Sequence, residues 1–264
     1  MSESGFYDPQ LERVFPKYAT VGDDGVLAIG GCSVPELADE FGTPLYVMDE
    51  QGLRERMRDY REGLAARWPN SQVTFASKSL PVMALYAIAE SEGLAIDVAG
   101  AGELLLALEA GVNPAIIHLH GNAKSDEELK LAVEAGIGTI VIDGEADIER
   151  LDALLTAPQE VLLRVIPDVD PRTHRSVSTG GAKSKFGLPI PQAQALIERL
   201  RSHPFIRVAG LHLHIGSQVL ELEPFRRAVE AVAGLGDFEV YNVGGGLGAD
   251  YNLDHEAPSL DAYL

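Results

Sequence analysis

Cysteine is almost missing from this chain. Cys32 stands alone among 264 residues, so no disulfide can close within it. That usage suits a reducing compartment. Basic residues are scarce too: 21 Lys and Arg stand against 40 Asp and Glu, for a formal net charge of -19. Such a field repels phosphate backbones and anionic bilayers, so neither nucleic acid nor a membrane is an expected partner. No apolar run approaches the roughly 20 residues of a membrane-spanning helix. The opening Met1-Ser2-Glu3-Ser4-Gly5 lacks the basic region and apolar core of a secretory signal, and the expected location is the cytoplasm. What is plentiful is ordinary core material, 46% hydrophobic residues against 23% charged ones, in a length suited to one large α/β domain or two small ones.

The patterning alternates. Residues 1–30 are rich in Gly and Asp and read as an extended arm. A short helix over 34–41, a strand-like run Pro44–Met48 and a polar helix over 49–68 follow. Then strands at 73–78, 94–98, 116–120, 139–143, 161–165, 208–215 and 240–243 alternate with helices over 81–92, 101–110, from 125, from 145, 191–202 and 223–234. Ser125 and Glu128 form a capping box at one of these helix starts. Repeated strand–helix units predict a parallel sheet, and their number favours a closed (β/α) barrel. Seven strands count from the run at 73–78; Pro44–Met48 would make eight. The Pro/Gly/Ser/Thr-rich loop over 167–189 is long enough to be functional.

Chemistry gathers at strand ends. Val73-Thr-Phe-Ala-Ser-Lys78 delivers a lysine to the C-terminal end of an apolar strand, which is the catalytic edge of a barrel. A lysine partly desolvated there could form a Schiff base with a carbonyl; the alternative is a lysine snorkelling to water. Gly244-Gly245-Gly246-Leu247-Gly248 follows the seventh strand, a common phosphate position in barrels, and could equally be a flexible turn. His212 and His214 would point to one side of a strand, as core histidines, as a stacking partner for a ring, or as a metal pair that lacks a third ligand. Ser217 could donate to a phosphate. Asp97 and Arg164 are charges within apolar strands, explained either by structural ion pairs or by a shared site.

These stretches together resemble the fold-type III pyridoxal-phosphate decarboxylases. The matching runs are Phe75-Ala-Ser-Lys78, Asp97-Val-Ala-Gly-Ala-Gly-Glu103-Leu, His120-Gly-Asn-Ala-Lys-Ser-Asp126-Glu-Glu-Leu, Lys185-Phe-Gly, His212-Leu-His-Ile-Gly-Ser-Gln218 and Gly244-Gly-Gly-Leu-Gly248. They stand in the family's order over nearly all of residues 40–250. His-Gly-Asn-x-Lys-Ser points to the diaminopimelate branch, while Lys78-Ser79 departs mildly from the family's usual Lys-Ala. The resemblance implies a TIM-like (β/α)8 barrel of the alanine racemase type. It implies pyridoxal 5'-phosphate as cofactor and no metal. Lys78 would carry the cofactor as a Schiff base and His214 would stack on its ring. Ser217 with Gly244, Gly245 and Gly246 would hold the phosphate. Asp97 and Glu103 would support the lysine and histidine, and Arg164 would lie near the ring.

The implied reaction is decarboxylation of meso-2,6-diaminopimelate to L-lysine and CO2 by a homodimer. Relatives continue with a strand carrying Glu-Pro-Gly-Arg and a β-rich domain that are not among these residues. Hence residues 1–40 are expected to be an arm for that domain and residues 41–264 a C-terminally incomplete barrel, weak or inactive by itself. Alternatives are a decarboxylase for ornithine, arginine or carboxynorspermidine, or a non-catalytic pyridoxal-phosphate barrel. His212–Gln218 argues against an alanine racemase, and Lys78 against a pure scaffold.

Overall fold

A computed structural model describes residues 12–170, 180–181 and 184–264. They divide into two compact units: one runs up to Ser71 and takes in Ala249–Ala257 and Leu264, the other comprises Gln72–Gly248 and Pro258–Tyr263. In the first unit, β1 (Ala19–Val21), β2 (Leu27–Ile29) and β3 (Cys32–Ser33) form a small antiparallel sheet. α1 (Val34–Phe41) is capped by Ser33. α2 (Glu50–Arg67) starts where the Asp49 carboxylate accepts the Gly52 N–H at 3.0 Å, satisfying one of the donors that a helix start leaves open.

Pro44–Met48 is not a strand. Its composition suits one, but a strand needs a ladder partner for its N–H and C=O groups, and the run pairs with none among the described residues. Leu45, Tyr46 and Met48 stay exposed.

The second unit carries the alternating pattern. In order it comprises β4 (Thr74–Ala76), α3 (Met83–Ser91), β5 (Ala95–Val98), α4 (Ala101–Glu109), β6 (Ile117–Leu119), α5 (Asp126–Ala135), β7 (Thr139–Ile142) and α6 (Glu145–Leu154). It continues with β8 (Gln159–Ile166), the two-residue β9 (Leu188–Pro189), α7 (Ile190–Leu200), β10 (Ile206–His212), α8 (Glu223–Ala233), β11 (Val240–Asn242) and α9 (Leu260–Tyr263). Seven strands lie in the order β4-β5-β6-β7-β8-β10-β11, every neighbouring pair parallel, with β9 joined to the end of β8.

The sheet is strongly curled. His120 follows β6 and His212 ends β10, with β7 and β8 between them. On a flat sheet three strand spacings separate such positions by about 14 Å. Their ring centroids are 4.7 Å apart, so both rings stand on a closely wrapped concave face. This is the wall of a TIM-like barrel, as the alternation predicts, with β4 and β11 outermost and not paired to each other among the described residues.

Packing explains the strand sequences. Val161 to Ile166 of β8 are all buried, as expected of a parallel strand covered on both faces. Ile96, Ile117, Leu119, Ile140, Ile142, Leu162 and Leu163 are each below 2% exposed, worth about 2 kcal/mol apiece in burial. Gly210 in β10 meets β11 so closely that a Cβ would lie 1.8 Å from the Val240 carbonyl oxygen. α5 carries the full capping box: Ser125 Oγ accepts Glu128 N–H at 3.1 Å, and Glu128 Oε2 accepts Ser125 N–H at 2.8 Å. The other Glu128 oxygen accepts Ala101 N–H at 3.1 Å, tying the starts of α4 and α5 together. Among the described residues, no helix is long and apolar enough to cross a membrane.

Candidate active site

The C-terminal strand ends of the curled sheet collect the polar residues. β4 stops at Ala76, and Lys78 sits beyond it in a single 3-10 turn, Ser77–Ser79. The lysine is therefore exposed at the rim rather than desolvated within a strand, because the turn lifts it clear of the β4 ladder. The turn is anchored from below. Ser77 is fully buried, and its hydroxyl donates to Glu103 Oε2 at 2.7 Å. The same oxygen accepts Ala99 N–H at 2.8 Å.

β10 likewise ends early, at His212, so His214 lies in the irregular segment after it. His214 packs against the glycine loop: Gly245 N–H donates to His214 Nδ1 at 3.4 Å. With Nδ1 accepting, a neutral ring carries its proton on Nε2. Burial, and then the positive charges of Lys78 and Arg164, hold the His214 pKa down to about 4, with Asp97 opposing. The imidazole is neutral at pH 7, and its charge neighbours show that Lys78, Arg164 and His214 share one local field.

The glycine loop follows β11. Gly244 and Gly246 have φ of 71° and 108°, the region that favours glycine. A Cβ on Gly246 would lie 1.9 Å from the Gly216 carbonyl oxygen. Backbone bonds from Val219 N–H to Gly246 O and from Gly248 N–H to Val219 O, both 2.9 Å, join the loop to the segment that carries Ser217, which is exposed. Lys78, His214, Ser217 and Gly244–Gly246 thus lie along the same rim.

Asp97 and Arg164 have different partners. Asp97 Oδ1 is 2.9 Å from His120 Nε2 and 3.7 Å from His118 Nδ1. The shorter distance is that of an ion pair, but neither contact has hydrogen-bond alignment, and all three atoms are buried without a directed partner among the described residues. These side chains offer three ligand atoms within 4.8 Å of one another, a spacing a small cation could bridge. Burial lowers the His118 pKa. It holds that of His212 well below the ordinary value, with His120 and Arg164 adding to the effect. Arg164 pairs with Asp143 at 3.2 Å, and its guanidinium carbon stands 4.4 Å from the Phe186 ring centroid. Across the β8–β10 ladder Arg164 is in register with His212.

Asp143, His118 and Asp147 were not singled out from the sequence, and Lys124 and Phe186 stand in family-matching runs without a role read for them. Asp143 had a usable signal, since it follows an apolar strand run at the same end of the sheet as the other site residues. Of the loop over 167–189, residues 171–179 and 182–183 lie outside the described residues. A separate cavity of about 660 Å³, lined in part by Ile197, His203, Phe205, Val208 and Phe238, opens at the other end of β8 and β10. It holds none of these groups.

Comparison with known proteins identifies the family and the fold. Residues 50–264 match the family model described as pyridoxal-dependent decarboxylase, pyridoxal binding domain. The chain is 42% identical over 251 residues to a diaminopimelate decarboxylase of Actinosynnema pretiosum subsp. auranticum, covering 92% of this chain and 56% of that protein. It is 37% identical over 273 residues to one from Synechocystis, covering 96% and 58%. Among solved structures, diaminopimelate decarboxylase from M. jannaschii in complex with L-lysine superposes with a TM-score of 0.84 at 30% identity, covering 94% of this chain and 61% of that one. The Helicobacter pylori enzyme complexed with L-lysine gives 0.79 at 26%, covering 87% and 60%. The chain thus spans somewhat over half the length of the curated relatives it matches. It belongs to the pyridoxal-dependent decarboxylase family, whose pyridoxal binding domain residues 50–264 match.

Proposed function

We propose that this chain is the cofactor-holding part of a decarboxylase that takes meso-2,6-diaminopimelate to L-lysine and CO2. The observation that carries the proposal is the convergence at one barrel rim of the exposed Lys78 amine, the neutral His214 imidazole, the buried Arg164 guanidinium and a glycine loop. The names of the curated relatives supply the substrate class.

The residues fit pyridoxal phosphate. Close packing at Gly246 leaves bare backbone at the rim, where a phosphate must approach. Lys78 Nζ is accessible for a covalent bond. Lys78 would hold the cofactor, His214 would stack on its ring, and Ser217 with Gly244, Gly245 and Gly246 would hold its phosphate. Asp97 and Glu103 would support Lys78 and His214, and Arg164 would lie near the ring. When bound, pyridoxal phosphate supplies an electron sink for the bond that loses CO2. The protein's own part is to position and to keep charge in place. The Ser77–Glu103 bond fixes the turn under Lys78, and burial keeps the His214 imidazole neutral. Residues 1–40 would serve as an arm for a β-rich domain. The assembly would be a cytoplasmic homodimer, in keeping with the lone Cys32.

The test is release of L-lysine and CO2 from meso-2,6-diaminopimelate with pyridoxal phosphate supplied, ranked against ornithine and arginine. Even slow turnover orders the substrates. Preference for diaminopimelate, lost in Lys78→Ala, supports the proposal. Preference for ornithine or arginine contradicts the substrate, and bound cofactor with no turnover of any of the three, even with the β-rich domain of the relatives restored, favours a non-catalytic carrier.

A further inference from the structure

Four charged side chains that are at most 8% exposed form a connected group behind Arg164: Lys124, Asp147, Asp143 and Arg164 itself. Lys124 Nζ donates to Asp147 Oδ2 at 2.8 Å and to the Gly121 carbonyl at 2.7 Å. Asp147 Oδ2 also accepts the backbone N–H of Asp143 at 2.9 Å. The two oxygens of Asp143 are then divided. Oδ1 takes Arg164 Nη1 at 3.2 Å, and Oδ2 takes Gly187 N–H at 2.8 Å. Outside the group, Arg150 Nη1 donates to the Lys124 carbonyl at 2.6 Å.

The formal charges sum to zero, which burial demands. Balance alone would be met by two separate pairs. Here the carboxylate of Asp143 joins a guanidinium on β8 to the far end of the long loop after β8. Gly187 has φ +74°, and a Cβ there would lie 3.1 Å from Arg164 Cγ, so the loop end closes directly on the arginine. Phe186, one residue earlier, covers the guanidinium. Arg164 is in turn in register with His212 and acts on the field at His214.

We infer that Asp143 is a positioning residue for the cofactor site: backed by the buried Lys124–Asp147 pair, it fixes the Arg164 guanidinium and the Phe186–Gly187 loop end at the rim. The inference rests on the proposed pyridoxal-phosphate site. Asp143 touches no reacting group; it acts through Arg164.

The experiment measures pyridoxal phosphate affinity by absorbance titration, and borohydride-fixed label on Lys78, in the wild type, Asp143→Asn, Arg164→Met and the double variant. Melting temperature of each cofactor-free protein is recorded beside them. Asp143→Asn keeps the shape but leaves the Arg164 charge unpaired, whereas the double variant restores the charge balance and keeps the test valid if a single variant fails to fold. The expected result is an affinity loss of about tenfold in Asp143→Asn, the scale of a weakened charged hydrogen bond. The double variant should bind no more weakly than Arg164→Met alone, because two residues acting through one contact are not additive. Asp143→Glu should restore part of the loss. Unchanged affinity in Asp143→Asn, or losses that multiply in the double variant, would overturn the positioning role while leaving the cofactor site standing. Absence of label in the wild type would overturn the site itself, and the inference with it.

Discussion

The Ser77 hydroxyl donates to Glu103 Oε2 at 2.7 Å, one residue before Lys78. A strand-end turn is thereby tied to the first turn of α4, and Ala99 N–H shares the same acceptor. Glu103→Ala removes the acceptor from both donors, and one of these belongs to a fully buried residue. A loss of about 2 kcal/mol in urea unfolding is expected, and weaker cofactor binding with it. Ser77→Ala removes one donor and leaves Ala99 N–H satisfied, so it should cost less in both measurements. Equal costs would mean that the turn is held by something else.

At Gly246 the constraint is steric. Alanine there must move its Cβ away from the Gly216 carbonyl oxygen, and φ +108° is unfavourable for it as well. Destabilisation of roughly 2 kcal/mol is expected for Gly246→Ala. Titration with inorganic phosphate and with pyridoxal phosphate should show both weakened. Gly245→Ala, with nothing within 4 Å of the added Cβ, is the matched control and should be far milder.

The histidines predict a pH dependence of folding. In the unfolded chain His214 takes a proton near pH 6.5, and in the folded chain only near 4. Between those values the unfolded state binds more protons, so stability is full above pH 6.5 and falls as the pH drops toward 4. The loss from His214 is at most about 3 kcal/mol. His118 and His212 act in the same direction. His214→Gln should flatten the melting temperature between pH 6.5 and 4 relative to the wild type. An unchanged slope would show that His214 does not titrate in this window.

Ser125→Ala tests the capping box separately from the site. It opens the bond to Glu128 N–H and should cost about 1 kcal/mol in urea unfolding. Cofactor affinity should hold, since Ser125 is exposed at the start of α5.

Much of this molecule is legible in its sequence because strand–helix alternation is a local signal. β5, β7 and α4 to α8 lie within a few residues of where periodicity puts them. Strand ends are less legible. The β-branched run before Lys78 and the histidine run after Val208 both continue as patterns past the point where the ladder stops, so Lys78 and His214 sit beyond their strands. Pro44–Met48 has a strand's composition and no strand partner among the described residues, and pairing cannot be read from one segment. Asp143 escaped because its importance lies in contacts with Arg164 and Gly187, 21 and 44 residues away. Arg164 itself was legible as a charge in an apolar strand; which carboxylate would meet it was not.

The central claim is that this rim binds pyridoxal phosphate through Lys78. The most direct measurement is titration of the purified protein with the cofactor, followed by borohydride reduction and peptide mapping. A saturable visible absorption band is predicted, with one label per chain on Lys78 and none in Lys78→Ala. A folded protein that binds no cofactor, or one labelled elsewhere with Lys78 untouched, would contradict the account.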